Sequence, residues 1–104
     1  MIVAIVTFHL KEPATLPEIT KTFQATAPKY KGLTGLLRKN YWMSEDGRRA
    51  GGIYVWASRA DADRLYTPEW RQFVEGKYGA PPSIEYLHSP VMVDNHAGTI
   101  SVAA

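Results

Sequence analysis

A lysine inside an aromatic run is the first chemical feature of this chain. Leu36-Leu37-Arg38-Lys39-Asn40-Tyr41-Trp42-Met43 reads as a strand, and its alternation puts Lys39 and Tyr41 on one face. A cation held there can stabilise a phenolate or an enolate. The competing reading is an edge-strand lysine that discourages sheet-to-sheet aggregation. Arg38 and Asn40 fall on the opposite face, where they can hydrogen-bond across a dimer.

Aromatic side chains supply the second feature. Tyr41, Tyr54, Trp56, Tyr66, Trp70 and Phe73 cluster around the sheet and the last helix and can line one pocket. Small-molecule sites are apolar pockets with a few aimed polar groups, and tyrosine and tryptophan carry such groups. Each of them can equally be a plain core residue. His88, in the middle of the last strand, is a candidate general base at neutral pH, against the alternative of a part-exposed or interface histidine. The catalytic candidates are therefore Lys39 and His88. His9 ends the first strand, and His96 lies in the C-terminal stretch.

Several chemistries lack their residues. There is no cysteine, hence no disulfide, thiolate metal ligand or cysteine nucleophile. The three histidines show no HxH or HxxxH spacing, so no metal site is expected. Gly51-Gly52 opens a strand, where glycine allows close packing against Trp42 or a bulge, and no glycine pattern cradles a phosphate. No flavin, nicotinamide or other cofactor is expected. Haem would require an axial histidine aimed into the cavity.

The elements that must position these residues follow from local signals. Met1 to about Leu10 is apolar on both faces and reads as a central strand. Thr15-Leu16-Pro17-Glu18 is a capping box with a first-turn proline, and Pro28 predicts a helix end near Ala27. Asp46-Gly47 marks a hairpin between strands two and three. A turn centred there sets Trp42 opposite Gly51, Asn40 opposite Ile53, Lys39 opposite Tyr54 and Leu37 opposite Trp56. Ser58 and Thr67 each cap a short helix. Trp70, Phe73, Val74 and Tyr78 form one apolar stripe, and Gly79 ends it. The fourth strand is expected over residues 83–93, with Pro90 at an edge or bulge.

The order strand, helix, strand, strand, broken helix, strand predicts an α+β, ferredoxin-like βαββαβ sandwich. Its sheet is antiparallel, with both helical layers on one side. A single domain over residues 1–95 is expected, with residues 96–104 as a tail outside the core. Strand three, Gly51-Gly52-Ile53-Tyr54-Val55-Trp56-Ala57-Ser58, is apolar on both faces. In 104 residues the helices can cover only one face, which leaves the other for a second copy in a homodimer.

The net charge of +2 is small and its basic residues are scattered, so no nucleic-acid or membrane partner is indicated. Met1-Ile2-Val3-Ala4-Ile5-Val6 is too short to span a bilayer and lacks the marks of a secretory signal, which fits the cytoplasm.

Gly35-Leu36-Leu37-Arg38-Lys39-Asn40-Tyr41-Trp42, Ala50-Gly51-Gly52-Ile53-Tyr54-Val55-Trp56, Ser58-Arg59-Ala60 and the closing Val91-Met92-Val93-Asp94-Asn95 resemble the YdhR-like monooxygenase family. That family belongs to the dimeric α+β barrel group with the antibiotic-biosynthesis monooxygenases. The resemblance covers about residues 1–95. It implies a dimeric barrel and a cofactor-independent, metal-free monooxygenase acting on a small aromatic or enolisable compound. The alternative is a non-catalytic dimer that binds a small hydrophobic ligand or has a stress role.

Overall fold

Side-chain caps start all three helices. The Thr15 hydroxyl accepts from the Glu18 amide at 3.3 Å, and the Glu18 carboxylate accepts from the Thr15 amide at 2.9 Å. Ser58 and Thr67 accept from the amides of Asp61 and Trp70 in the same way. Each such cap stabilises its helix by about 1 kcal/mol. The structure, a computed structural model, describes residues 1–103. In chain order the elements are β1 (Ile2–His9), α1 (Leu16–Tyr30), β2 (Leu36–Met43), β3 (Arg49–Trp56), α2 (Arg59–Leu65), α3 (Pro68–Tyr78), β4 (Ser83–His88), β5 (Val91–Asp94) and β6 (Thr99–Val102).

Four antiparallel strands form the main sheet in the order β2-β3-β1-β4. With the helices on one face, this is the expected ferredoxin-like α+β sandwich. Ala4, Val6 and Phe8 of β1 and Ala50, Tyr54 and Trp56 of β3 point toward the helices and are buried. They pack with Tyr30 of α1, Ala62 of α2, Tyr66 beyond α2, and Trp70 and Val74 of α3. A second, smaller group joins Ile19 and Phe23 of α1 to Ala50.

The opposite face of the sheet is uncovered. It presents Val3, Ile5 and Val55, which are half-buried, and Ile53 and Leu87, which are exposed. Gly51 sits under Trp42 on this side. An added β-carbon there would stand 1.8 Å from the Val6 carbonyl oxygen and 3.0 Å from the Trp42 ring, so the position admits no side chain.

Three local expectations change. Helix α1 continues through Pro28 to Tyr30, because Tyr30 is buried and accepts a hydrogen bond from Trp70 Nε1 at 3.2 Å. Tertiary packing of that last turn outweighs the local break at proline. The hairpin register holds for Trp42, Asn40 and Lys39, but a bulge between Leu36 and Arg38 puts Leu36 opposite Trp56 and leaves Leu37 exposed. The last long strand stops at His88. The Ser89 amide donates to the Met1 carbonyl at 2.9 Å, and Pro90 opens a separate β5–β6 hairpin. In that hairpin Val91 pairs with Val102 and Val93 with Ile100, and all four side chains are exposed. Among the described residues no helix is long and apolar enough to cross a membrane.

Candidate functional site

Lys39 stands in the helix-facing row of β2, directly opposite Tyr54 of β3. Most of that row is apolar, so its long side chain must lie among rings. Its Nζ is 3.4 Å from the centroid of the Tyr30 ring, 3.8 Å from that of Tyr41 and 4.5 Å from that of Tyr54. Three electron-rich ring faces around one ammonium are a cation–π cage. Gly52 makes room for it. A β-carbon at Gly52 would meet Tyr54 Cε1 at 2.8 Å and Lys39 Cε at 3.1 Å.

Among the described residues no carboxylate pairs with this cation. The ion pairs among the described residues are Arg59–Asp63 and Arg64–Asp61, both on α2 and far along the chain from Lys39. Burial, assisted by the charge of Lys29, pushes the Lys39 amine down to about 7. The ring faces pull the other way, since they favour the charged form. The amine can therefore both give and take a proton near neutral pH.

Three nearby phenols, those of Tyr41, Tyr54 and Tyr78, are held protonated. Burial, with the neighbouring phenols of Tyr30 and Tyr66, pushes the Tyr54 hydroxyl far above the usual tyrosine range. Burial also raises Tyr41, although its hydrogen bond with the Thr26 hydroxyl, at 2.9 Å, opposes the shift. Burial pushes Tyr78, at the same inner wall, up to about 12.

Space adjoins Lys39 at the open edge of β2. A groove of about 280 Å³ runs between the end of α1 and the start of β2, with Ala27, Tyr30, Lys31, Arg38 and Tyr41 among its walls. Beside it, an apolar groove of about 330 Å³ lies between α1 and β2, lined by Ile19, Phe23, Ala27, Tyr41, Trp42 and Met43 among others. The inner side of the cage is nearly filled, with only about 10 Å³ left between Lys39, Tyr54, Phe73 and Tyr78.

The sequence-predicted site residues separate into groups. Lys39, Tyr41 and Tyr54 come together. Trp56, Tyr66 and Trp70 pack ring against ring in the core, with centroids of 5.8 Å for Trp56–Tyr66 and 4.9 Å for Tyr66–Trp70. Both indole donors are satisfied there, Trp56 Nε1 by the Tyr66 hydroxyl at 3.1 Å and Trp70 Nε1 by Tyr30. Of the six aromatics expected to line one pocket, Trp56, Tyr66 and Trp70 therefore fill the space between sheet and helices with their own rings. Phe73 is exposed at the rim, with Lys29 Nζ 4.4 Å above its ring.

His88 does not share this cavity. It is exposed at the end of β4, opposite Ile2, and β3 and β1 separate it from β2. Three strand spacings are about 14 Å. Tyr30 and Thr26 are the site residues that the sequence reading missed. The signal was available in the i, i+3, i+4 spacing of Phe23, Thr26, Ala27 and Tyr30, but Pro28 masked it. Among the described residues no three His, Asp or Glu side chains converge as a metal site would require.

No family model and no curated protein matches the chain. Solved structures do. A monooxygenase from the ActVA-Orf6 gene of Streptomyces coelicolor, in complex with nanaomycin D, superposes with a TM-score of 0.64 at 23% identity, covering 85% of this chain and 86% of that one. SnoaB, a cofactor-independent oxygenase from Streptomyces nogalater, gives 0.61 at 15% identity over 85% and 91% of the two chains. A further antibiotic biosynthesis monooxygenase gives 0.63 at 14% identity over 86% and 98%. What the chain shares with these proteins is the fold.

Proposed function

We propose that this chain is a cofactor-independent, metal-free monooxygenase acting on a small aromatic or enolisable compound bound at the β2 edge. The observation that carries the reading is the Lys39 amine, caged by three tyrosine rings, without a carboxylate partner, and adjoining a groove. Support comes from the fold it shares with an oxygenase that needs no cofactor. The likeness of strands two and three to the YdhR-like proteins points the same way.

The chemistry asks little of the protein. An acidic phenol in the groove passes its proton to the Lys39 amine and is held as its anion beside the resulting ammonium. The substrate anion then gives electrons to dioxygen. A hydroperoxide forms at the ring carbon para to the phenol oxygen and loses water, so that the phenol's O–H and ring C–H hydrogens leave with one oxygen atom as H2O and the other oxygen stays as the second carbonyl of a quinone, without an added reductant. Tyr30 and Tyr41 wall the groove, and Tyr54 and Phe73 close the inner side of the cage behind Lys39. Trp56, Tyr66 and Trp70 support those walls from the core. His88 lies outside this scheme within one chain.

The uncovered sheet face fits a homodimer of the barrel type. Burying about 800 Å² per partner suffices for a stable interface, and Val3, Ile5, Ile53, Val55 and Leu87 are placed to supply its apolar part.

A second reading, a dimer that binds small hydrophobic ligands without turnover, is favoured by the 330 Å³ groove, whose walls carry no charged side chain. Oxygen uptake separates the two. Incubation with a panel of phenols and quinols in metal-free buffer under air consumes oxygen if the first reading is right. Binding without consumption assigns the protein to the second.

A further inference from the structure

The uncovered face of the main sheet carries charge as well as apolar side chains, and the charge is divided between its two edges. Two neighbouring rows cross the middle of this face. One runs from Leu87 of β4 through Val3 and Val55 to Arg38 of β2, and the next from Glu85 through Ile5 and Ile53 to Asn40. The centre of both rows is apolar. Arg38 and Asn40 stand at the β2 edge and Glu85 at the β4 edge, and all three are exposed.

Within one chain these charges do not meet. Three strand spacings, about 14 Å, lie between the two edges. Among the described residues neither Arg38 nor Glu85 takes part in an ion pair. The other ionisable groups on this face of the strands, His9 and Arg49, are paired positions at its far end, beyond the row of Thr7, Gly51 and Trp42.

A second copy laid on this face brings the edges together in one of two ways. A two-fold axis makes the contact self-complementary, and two stacked sheets lie about 10 Å apart with their strands roughly aligned. If the axis runs along the strands, β2 of each copy lies over β4 of the other. Arg38 and Asn40 then face the partner's Glu85, at both margins of the apolar patch. If the axis runs across the strands, β2 lies over β2 and β4 over β4. Arg38 then faces the partner's Arg38, and Glu85 the partner's Glu85. Juxtaposed like charges at an interface are costly and suppress that docking mode.

We propose that the two-fold axis runs along the strands, so that Arg38 and Asn40 of each copy bind Glu85 of the other. The inference rests on the homodimer reading of this face and adds the arrangement its charges select. The Arg38 guanidinium and the Asn40 amide both donate to the Glu85 carboxylate, and this polar rim closes the apolar centre from water on both sides.

Sedimentation equilibrium of the intact chain tests this with no substrate present, so oxygenase turnover has no part in the result. Arg38→Glu and Glu85→Arg should each raise the dimer dissociation constant by about tenfold or more, because each sets like charges together at two symmetric places. Both changes in one chain should restore dimerisation. A second measurement does not depend on charge. The chain has no cysteine, so a mixture of Asn40→Cys and Glu85→Cys chains should be joined by a short bis-maleimide into mixed dimers, while neither variant cross-links to itself. Asn40→Cys cross-linked to itself, or single reversals that leave the dissociation constant unchanged, overturns the arrangement and leaves the dimer reading standing. A wild-type monomer overturns both.

Discussion

Lys39 Nζ lies 3.4 Å over the ring of Tyr30, a residue in the helical turn just beyond Pro28. One strand residue and one helix residue thus close a cage that neither element makes alone. Tyr30 is fixed there by the hydrogen bond from Trp70 Nε1, which ties the end of α1 to the start of α3.

That cage should control ligand ionisation. In a titration with a small polycyclic phenol, Lys39→Met weakens binding and raises the apparent pKa of the bound phenol, because the nearby positive charge is gone. Protein fluorescence and phenol absorbance follow the two effects together. Equal binding by wild type and variant would remove the anion-holding role. His88→Ala leaves phenol binding unchanged, as His88 lies at the other edge of the sheet.

Stability should depend on pH through the same lysine. The folded amine, pushed down to about 7, holds its proton less well than the unfolded one. Between that value and the ordinary lysine value of about 10.4 the unfolded chain binds more protons, so stability rises with pH. It is lost again as pH falls back through this window. Above about pH 10 the buried tyrosines reverse the trend, since they stay protonated in the fold and ionise once unfolded. Urea melts from pH 6.5 to 9.5 should show a rising stability in wild type that is absent in Lys39→Met.

Gly52→Ala tests the floor of the cage. The new methyl group meets Tyr54 and Lys39 closer than ordinary contact, so one of them must move. The expected cost is about 1–3 kcal/mol of stability, the usual range for overpacking. Phenol binding weakens at the same time, while a neutral hydrophobic probe in the 330 Å³ groove is retained.

The uncovered sheet face predicts a homodimer. Sedimentation equilibrium at micromolar concentration should return twice the chain mass, and Ile53→Glu should shift it toward the single-chain mass by placing a charge on that face. A stable wild-type monomer would refute the interface, because the apolar row of β1 and β3 would then be left to water.

Deleting residues 96–104 removes β6 but no residue of either core group. The melting temperature should therefore change little. A fall of several degrees would mean that Ile100 and Val102 are buried against a second copy, since they are exposed in the single chain.

The strand and helix order could be read from the sequence because its signals are local. Thr15, Ser58 and Thr67 cap helices through amides three residues away, and Asp46-Gly47 centres a hairpin whose register carries Lys39 to Tyr54. Alternation then put Lys39, Tyr41, Tyr54 and Trp56 on one face, and the structure keeps them there.

Which of those rings form walls and which form core was decided only by the tertiary structure. Trp56, Tyr66 and Trp70 have the same composition signal as Tyr41 and Tyr54. They fill the space between sheet and helices because each indole donor finds a phenol oxygen at close range. Strand order set the rest. It placed β2 and β4 at opposite edges, so Lys39 and His88 cannot meet in one chain. Tyr30 entered the site because a helix packed on the sheet keeps its last turn despite a proline. The helical spacing from Phe23 marks the face that carries Tyr30, but its hydrogen bond is to a residue 40 positions away, and that partner is not written in the local pattern.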